Sequence, residues 1–237
     1  MKFTPAVIQT LKHFATAIEA QAVIINTNSP IFVCDEAKNI IARSNVKQTL
    51  DDKPSISIYN IKLLTQIISM FDKQDVEFSI DIEEDKLVFI SSDKKIRQEL
   101  YLADNNMISS IVPNPTKAAG LFDSSFDYEF KLTEAELNNF RLGLTTNSSP
   151  IVGFEGDGDG NIDIFCSEVD NQGREESKNR FRITLSEESR QEFKIGFDKQ
   201  FFCMASGDYT IKINSRMVLF EGNTISYLIV LKQWSTL

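Results

Sequence analysis

The sequence predicts an α+β protein that consists of two similar halves. Residues 2–16 recur without a gap at residues 131–145, with four identical positions and five conservative replacements. Many short segments alternate apolar and polar residues, a pattern typical of half-buried antiparallel strands. Two prolines, a glycine and several serines lie between the halves and mark a connector. A repeated helix, alternating strands and a central connector together indicate a duplicated α+β architecture.

Both copies of the repeated segment are expected to be helices. Thr4 is a suitable N-cap and is followed by Pro5, which is well tolerated at the first helical position. Thr133 is the corresponding N-cap, and Glu136 three residues later completes a capping box. Apolar residues recur at helical spacing from Val7 onwards, with polar residues on the opposite side.

A weaker match joins residues 59–64 to residues 197–202. Each segment has an aromatic residue, an Asn or Asp N-cap and then a short amphipathic stretch that carries a lysine. Strand-like residues 86–89 match residues 216–219 in the same way. Each half is therefore expected to contain a strand, a helix, several strands, a second helix and several further strands.

The domain boundaries follow from the repeat and from the connector. Strand-like alternation is clearest in residues 76–82, 181–185 and 209–213. The predicted division is an N-terminal domain of residues 1–113, a connector of residues 114–127 and a C-terminal domain of residues 128–237.

Composition favours a globular, cytoplasmic protein. Apolar residues make up 42% of the 237 positions and charged residues 25%, so a packed core is expected. The apolar run at residues 227–231 has the length of a strand, far below the roughly 20 residues of a membrane span. The N-terminus lacks the features of a signal peptide. Three widely spaced cysteines are expected to be free buried thiols.

No catalytic, cofactor or metal site is expected. Residues 157–163 with Glu168 resemble a calcium loop, but Ile162 stands where that loop needs glycine, and a hairpin turn is the better interpretation. His13 is the sole histidine, so a zinc or general-base site lacks a second histidine. Nucleotide-binding glycine motifs and a nucleophile elbow are absent from the sequence. We therefore expect a protein that is not an enzyme.

Basic residues recur at equivalent places in the predicted helices. The net charge of −9 opposes nucleic-acid binding, because phosphate contacts need lysine and arginine. Positive charge concentrated on one helical surface would overcome this. Alternatively, the recurrence reflects only that most helices carry some lysine. The repeated cations are Lys12, Lys62, Arg141 and Lys199 within the helices, and Lys2 and Lys131 before them.

Several short segments, taken in order, match one known family. They are Met1 and Lys2, Leu11 and Lys12, residues 14–16, Ile58 and Tyr59, residues 207–209, and residues 220–222 followed by Tyr227. In their spacing and in total length they resemble the sliding clamps of T-even-type bacteriophages. Two parts depart from that family: the hairpin of residues 157–161 is longer, and residues 171–178 have no clear counterpart.

The resemblance implies a DNA-clamp (processivity) fold. Three identical subunits of two similar domains would form a ring, with helices lining the hole and antiparallel sheets outside. Such a homotrimer would encircle duplex DNA without reading its sequence. It would be placed there by an ATP-dependent clamp loader and would tether the replicative DNA polymerase in the cytoplasm of an infected bacterial host cell. A role with the late sigma factor and RNA polymerase, as a coactivator of late transcription, is also implied.

The same resemblance assigns candidate sites. The repeated cations would line the hole, and residues 98–103 would pair with residues 180–185 of the next subunit. An apolar groove near the connector and the C-terminal strand would bind partner peptides. The interface candidates are Gln98, Leu100, Leu102, Phe181, Ile183 and Leu185, and the groove candidates are Val112, Leu121 and Phe122. The competing hypothesis is a duplicated peptide-binding adaptor or virion-associated protein that does not encircle DNA.

Overall fold

The computed structural model describes residues 3–50, 53–170, 172–174, 180–189 and 191–237. The chain divides into two compact units, Met1–Leu121 and Phe122–Leu237. Each unit combines helices with antiparallel strands, which confirms the predicted α+β class. Within the described ranges, no helix is both long enough and apolar enough to span a bilayer.

The first unit begins with a helix and continues through short antiparallel strands. Its helices are α1 (Pro5–Thr16), α2 (Ile61–Lys73), α3 (Asn105–Ile108) and α4 (Pro115–Phe122). Its strands are β1 (Val23–Asn26), β2 (Ile31–Cys34), β3 (Ile40–Ser44), β4 (Ser55–Ile58), β5 (Phe78–Ile82), β6 (Lys86–Ser91) and β7 (Arg97–Tyr101). Strand β1 pairs with β4 and β2 pairs with β3, whereas β5, β6 and β7 form a three-stranded sheet with β7 as an outer strand.

Helices α1 and α2 begin at the predicted N-caps and pack against each other. The Thr4 hydroxyl accepts a hydrogen bond from the Val7 amide at 3.3 Å, and the Asn60 side chain accepts one from the Leu63 amide at 2.8 Å. Each cap satisfies an amide that the helix cannot pair internally. The apolar sides enter the core through Val7, Leu11 and Phe14 of α1 and Leu64, Ile68 and Phe71 of α2.

The segment interpreted as a connector contains helix α4. The Asn114 side chain accepts a hydrogen bond from the Lys117 amide at 3.1 Å, so Asn114 caps the helix. Pro115 occupies the first helical position, where a missing amide costs nothing. The predicted connector of residues 114–127 thus contains a helix, which begins at a proline.

The second unit is richer in strands and contains one long helix in its described part. The helical elements are α5 (Glu134–Thr146) and the 3₁₀ turn η1 (Lys199–Phe201). The strands are β8 (Tyr128–Leu132), β9 (Ile151–Asp157), β10 (Gly160–Ser167), β11 (Phe181–Ser189), β12 (Glu192–Asp198), β13 (Tyr209–Ile213), β14 (Met217–Gly222) and β15 (Ile225–Val230). One antiparallel sheet has the order β11-β10-β9-β12, and β8, β13, β14 and β15 are neighbours in that order in another.

The segment between β9 and β10 is the predicted hairpin turn. The Asp157 carboxylate accepts hydrogen bonds from the Asp159 and Asn161 amides at 2.8 and 3.0 Å. Gly158 and Gly160 have φ values of +77° and +124°, which favour glycine. The acidic side chain thus closes the turn, and the calcium-loop interpretation is not needed.

The predicted second helix of the second half, at residues 197–202, is wrong. Strand β12 continues to Asp198, and only the three-residue turn η1 follows. The Asp198 side chain forms no capping hydrogen bond, and the Lys199 amide donates to the Pro150 carbonyl at 2.7 Å. Phe197 and Phe202 are both buried in one aromatic cluster. Burial of these two rings and the hydrogen bond to the Pro150 carbonyl favour a strand end and a turn over the helix that the local pattern predicts.

The last residues of the chain cover one edge of the β11-β10-β9-β12 sheet. Lys194 of β12 and Thr236 exchange two backbone hydrogen bonds, of 3.0 and 2.8 Å. The Trp234 indole lies over Gly196, where an added Cβ would be only 2.4 Å from the ring. The C-terminal segment therefore occupies the edge of β12, and β11 is the outer strand at the other end of the sheet.

Candidate functional site

The polar sides of α1 and α2 form an open groove of about 820 Å³ in the first unit. Because the apolar sides of both helices face the core, their polar sides remain at the surface. The groove is lined by Gln9, Lys12, His13 and Thr16 of α1, by Thr65, Gln66, Ser69, Met70 and Lys73 of α2, and by Gln74 after it.

Basic side chains outnumber acidic ones on the α1–α2 surface, which comprises this groove and Lys62 of α2 beside it; Glu19 lies near Lys62 in the adjacent pocket. Lys12 forms an ion pair with Asp72, with 3.2 Å between the ammonium nitrogen and the carboxylate oxygen. Lys62 and Lys73 are exposed, and neither ammonium group bonds to another residue in the described part of the chain. A surface ion pair contributes roughly 0–1 kcal/mol, so Lys12 remains available to a more highly charged anion. The spacing of residues 62, 66, 69 and 73 places them on one side of α2.

Both predicted cations of the second unit are held by backbone carbonyls. The Arg141 guanidinium donates to the carbonyl of Met204 and to the side-chain oxygen of Asn138 at 3.5 Å. The Lys199 ammonium donates to the carbonyl of Leu144 at 3.0 Å and to the carbonyl of Asn147. Lys199 thereby satisfies carbonyls at the C-terminal end of α5, where a cation is favoured.

The two cations predicted before the helices have different settings. Lys131 is exposed on β8 and alternates with the buried residues Phe130 and Leu132, so it lies on the sheet face opposite the core. Lys2 lies outside the described residues. Of the cations predicted to line the hole, Lys12 and Lys62 therefore lie together on the α1–α2 surface. Lys73 lies on the same surface and was missed, because the repeat has no equivalent of it.

Glu136 joins α5 to the outer strand β11. One carboxylate oxygen accepts hydrogen bonds from the amide and hydroxyl of Thr133 at 2.8 and 2.7 Å, which confirms the capping box. The other accepts from the amide and hydroxyl of Ser186, both at 2.8 Å. Partial burial opposes the charge, but the hydrogen bonds from Thr133 and Ser186 outweigh it and lower the pKa of Glu136.

We expect Glu136→Ala to lower the free energy of unfolding by about 1–2 kcal/mol at neutral pH, because a cap and the link to Ser186 are both lost. Glu136→Gln removes the negative charge and keeps a side chain of similar shape, so it measures the contribution of the charge alone. Since the folded-state pKa is depressed, the ionised carboxylate stabilises the fold above the unfolded pKa of about 4.3, and this is lost as pH falls through the lower folded pKa.

Urea unfolding at about pH 7 and about pH 3.5 measures the effect, because these values lie on either side of the unfolded pKa of about 4.3. Glu134→Gln is the matched control, because it removes a charge from the same turn without these hydrogen bonds. An equal loss at both pH values for Glu136→Gln would contradict the assignment.

The predicted interface residues lie on or beside outer strands. Gln98 and Leu100 belong to β7, with Gln98 exposed and Leu100 buried, and Leu102 follows that strand. Strand β11 carries Phe181, Ile183 and Leu185, of which Leu185 is buried. An outer strand presents unpaired amides and carbonyls, which favour pairing with another strand.

The Phe181 ring is occupied within its own unit. It stacks on Phe140 with 5.5 Å between ring centroids, and it lies where a side chain at Gly143 would otherwise be. Its side chain therefore holds β11 against α5. Only the backbone edge of β11 is left to pair with another strand at this residue.

The predicted peptide-groove residues do not form an open apolar surface together. Val112 packs in a small buried cluster with Ala22 and Ile108. Phe122 is also buried, at 4% exposure, whereas Leu121 is 38% exposed. The sequence identified apolar residues correctly but could not distinguish those that complete a core from those that remain accessible.

A charged network on the β6–β7 face was also missed. Lys86 pairs with Glu83 and Glu99 at 3.2 and 3.0 Å, and Arg97 pairs with the same two carboxylates at 3.2 and 2.9 Å. Hydrogen bonds from Lys86 and Arg97 lower the pKa of Glu99. The pairs Lys86–Glu99 and Arg97–Glu83 join residues 13 and 14 positions apart, so strand pairing is what brings these two pairs together.

The described residues offer little for catalysis. No group of His, Cys, Asp and Glu among them could hold a metal ion. Burial raises the pKa of the Cys34 thiol to about 11 and also raises the pKa of Cys166, so both are protonated at neutral pH. A protonated thiol is a poor nucleophile.

No family model matches the chain, and no curated protein matches its sequence. Solved structures do match. Proliferating Cellular Nuclear Antigen from Entamoeba histolytica has a TM-score of 0.63 and 13% identity, covering 96% of this chain and 95% of that one. DNA polymerase III subunit beta from Borrelia burgdorferi has a TM-score of 0.72 and 10% identity, covering 95% and 62%.

A third match is the beta clamp of Helicobacter pylori bound to a DNA ligase peptide, with a TM-score of 0.66, 11% identity and coverage of 96% and 64%. This chain thus spans less than two thirds of the two bacterial chains but nearly all of the Entamoeba chain. At these identities the likeness establishes the fold. The chain has the sliding-clamp fold.

Proposed function

We propose that this chain is a subunit of a sliding clamp that encircles duplex DNA and tethers the replicative DNA polymerase. The observation that carries the proposal is the match of both units to the Entamoeba Proliferating Cellular Nuclear Antigen, which covers 96% of this chain and 95% of that one. The lysine-bearing α1–α2 surface supports it, because an otherwise acidic protein presents positive charge on a helical surface. In this proposed function the chain is not an enzyme and needs no cofactor.

In the proposed assembly, three chains form a head-to-tail homotrimer. The outer edges of β7 and β11 pair with no further strand among the described residues, and we place the β7 edge of one subunit against the β11 edge of the next, so that unlike surfaces meet as ring closure requires. Lys12, Lys62 and Lys73 face the DNA. Contacts with phosphates alone suit sliding, because they are independent of sequence.

The proposed partners follow the resemblance to the clamps of T-even-type phages. A clamp loader places the ring on DNA in the infected bacterial cell, and the polymerase binds through a short apolar peptide. Late sigma factor and RNA polymerase are further partners if the chain also activates late transcription. Exposed Leu121 at the end of α4 is the accessible part of the proposed peptide site.

Topological retention on DNA tests the function directly. The full chain, with clamp loader and ATP, should remain on a nicked circular duplex at high salt and leave once the circle is cut. Retention is expected because a closed ring can leave only over a DNA end. Light scattering should give three times the 26.9 kDa chain mass, and polymerase products should lengthen on the circular template.

Omission of ATP is the control, because the loader then places no ring. Loss from intact circles at the same rate as from cut DNA would reject the clamp. Binding to polymerase peptides without retention on circles would instead support the non-encircling adaptor.

A further inference from the structure

The two units of this chain differ in the charge that their long helices present. Helices α1 and α2 together carry three lysines and one aspartate, a net charge of +2 with His13 neutral. Helix α5 carries one arginine and two glutamates, a net charge of −1. The repeat seen in the sequence therefore does not extend to the helical surface charge.

The exposed side of α5 carries no cation. The helix is described in full, and its exposed residues are Glu134, Ala135, Asn138, Asn139, Leu142, Thr145 and Thr146. Leu142 is 70% exposed, on a helix whose apolar side is already packed. This surface is neutral amides, hydroxyls and an apolar side chain, with acidic residues at its N-terminal end.

Arg141 and Lys199, the basic residues within α5 and at its C-terminal end, both form hydrogen bonds to backbone carbonyls within their own unit. Arg141 is half-buried and holds the Met204 carbonyl, and Lys199 caps the end of α5. To reach a phosphate, either side chain would have to leave backbone carbonyls that then lack this partner. An unsatisfied polar group costs about 1–3 kcal/mol when buried. Lys62 and Lys73 are exposed and have no such bond to break among the described residues.

We infer that the α1–α2 surface of the first unit carries the DNA contact and that α5 of the second unit contributes almost none. This inference rests on the proposed clamp function. Around a ring, three positive surfaces would alternate with three weakly acidic ones. At physiological salt the Debye length is about 8 Å, so each surface acts only on the phosphates next to it.

Salt dependence of DNA binding tests the inference without polymerase or loader. The assembled full chain is titrated with a short blunt-ended duplex, onto which a ring can thread, at increasing salt. Lys62→Gln/Lys73→Gln should reduce the slope of log affinity against log salt by about 0.9 for each lysine in contact with a phosphate. The control Lys131→Gln/Arg141→Gln removes the same charge from the second unit and should leave the slope unchanged.

Two outcomes overturn the inference: an equal reduction by both double variants, or no reduction by the first. If the control chain does not fold, as judged by thermal unfolding, Lys131→Gln and Arg141→Gln are measured singly against Lys62→Gln. A duplex with both ends blocked by hairpin loops distinguishes failure of this inference from failure of the proposed clamp function. Equal wild-type binding to open and blocked duplexes rejects the clamp itself, whatever the slopes.

Discussion

Of the β11 variants Ile183→Pro and Thr184→Pro, one should abolish the proposed trimer and the other should unfold the second unit. In an antiparallel outer strand, successive amides point alternately towards the neighbouring strand and away from it. Ile183 and Thr184 lie opposite Ile164 and Asp163 of β10. One of their amides therefore pairs with β10, and the other points to the free edge. Proline removes the donor in each case.

The expected result is a folded monomer for whichever variant loses the edge amide. Light scattering gives the mass, and circular dichroism with thermal unfolding gives the fold. Ile183→Val and Thr184→Val keep both amides and should have the same mass in solution as the unmodified chain. Two folded trimers from the proline variants would show that β11 is not the assembly edge, even if the ring exists.

Phe220→Ala should lower the free energy of unfolding of the second unit by about 3–5 kcal/mol. The Phe220 ring is fully buried and makes aromatic contacts with four rings at 5.9 to 6.2 Å between centroids. These rings come from β9, β12, the residue after η1 and β13. Truncation would leave a cavity at the point where both sheets of this unit meet, and the surrounding rings cannot close it completely.

Trp234 fluorescence during urea unfolding provides the measurement, because the one tryptophan of the chain lies on Gly196 in the same unit. Leu142→Ala is the matched control: it truncates an apolar side chain that is 70% exposed and should change stability by less than about 0.5 kcal/mol. If Phe220→Ala lowered the free energy of unfolding by less than about 1 kcal/mol, the described packing would be contradicted, since truncation of a large buried side chain rarely has so small an effect.

Local patterns in the sequence determined the helix starts and the strand faces of this protein, because these features depend only on residues close together in the chain. Thr4 and Thr133 begin helices because a side-chain oxygen three residues before an unpaired amide can accept its hydrogen bond. Alternation of apolar and polar residues places β13 correctly, because successive side chains of a strand point to opposite faces. The two-part α+β fold followed from such local rules applied twice.

Tertiary structure alone decided which charged groups remain available. Arg141 and Lys199 have the same local sequence setting as Lys12 and Lys62, yet their carbonyl partners are up to 63 residues away. The residues of the predicted second helix at 197–202 likewise form a strand end and a turn, because their rings and amides find partners in distant segments. A pattern within one segment shows which side chains can be exposed. Which of them already have a partner depends on how segments far apart in the chain pack together, since a hydrogen bond needs its two atoms within about 3 Å.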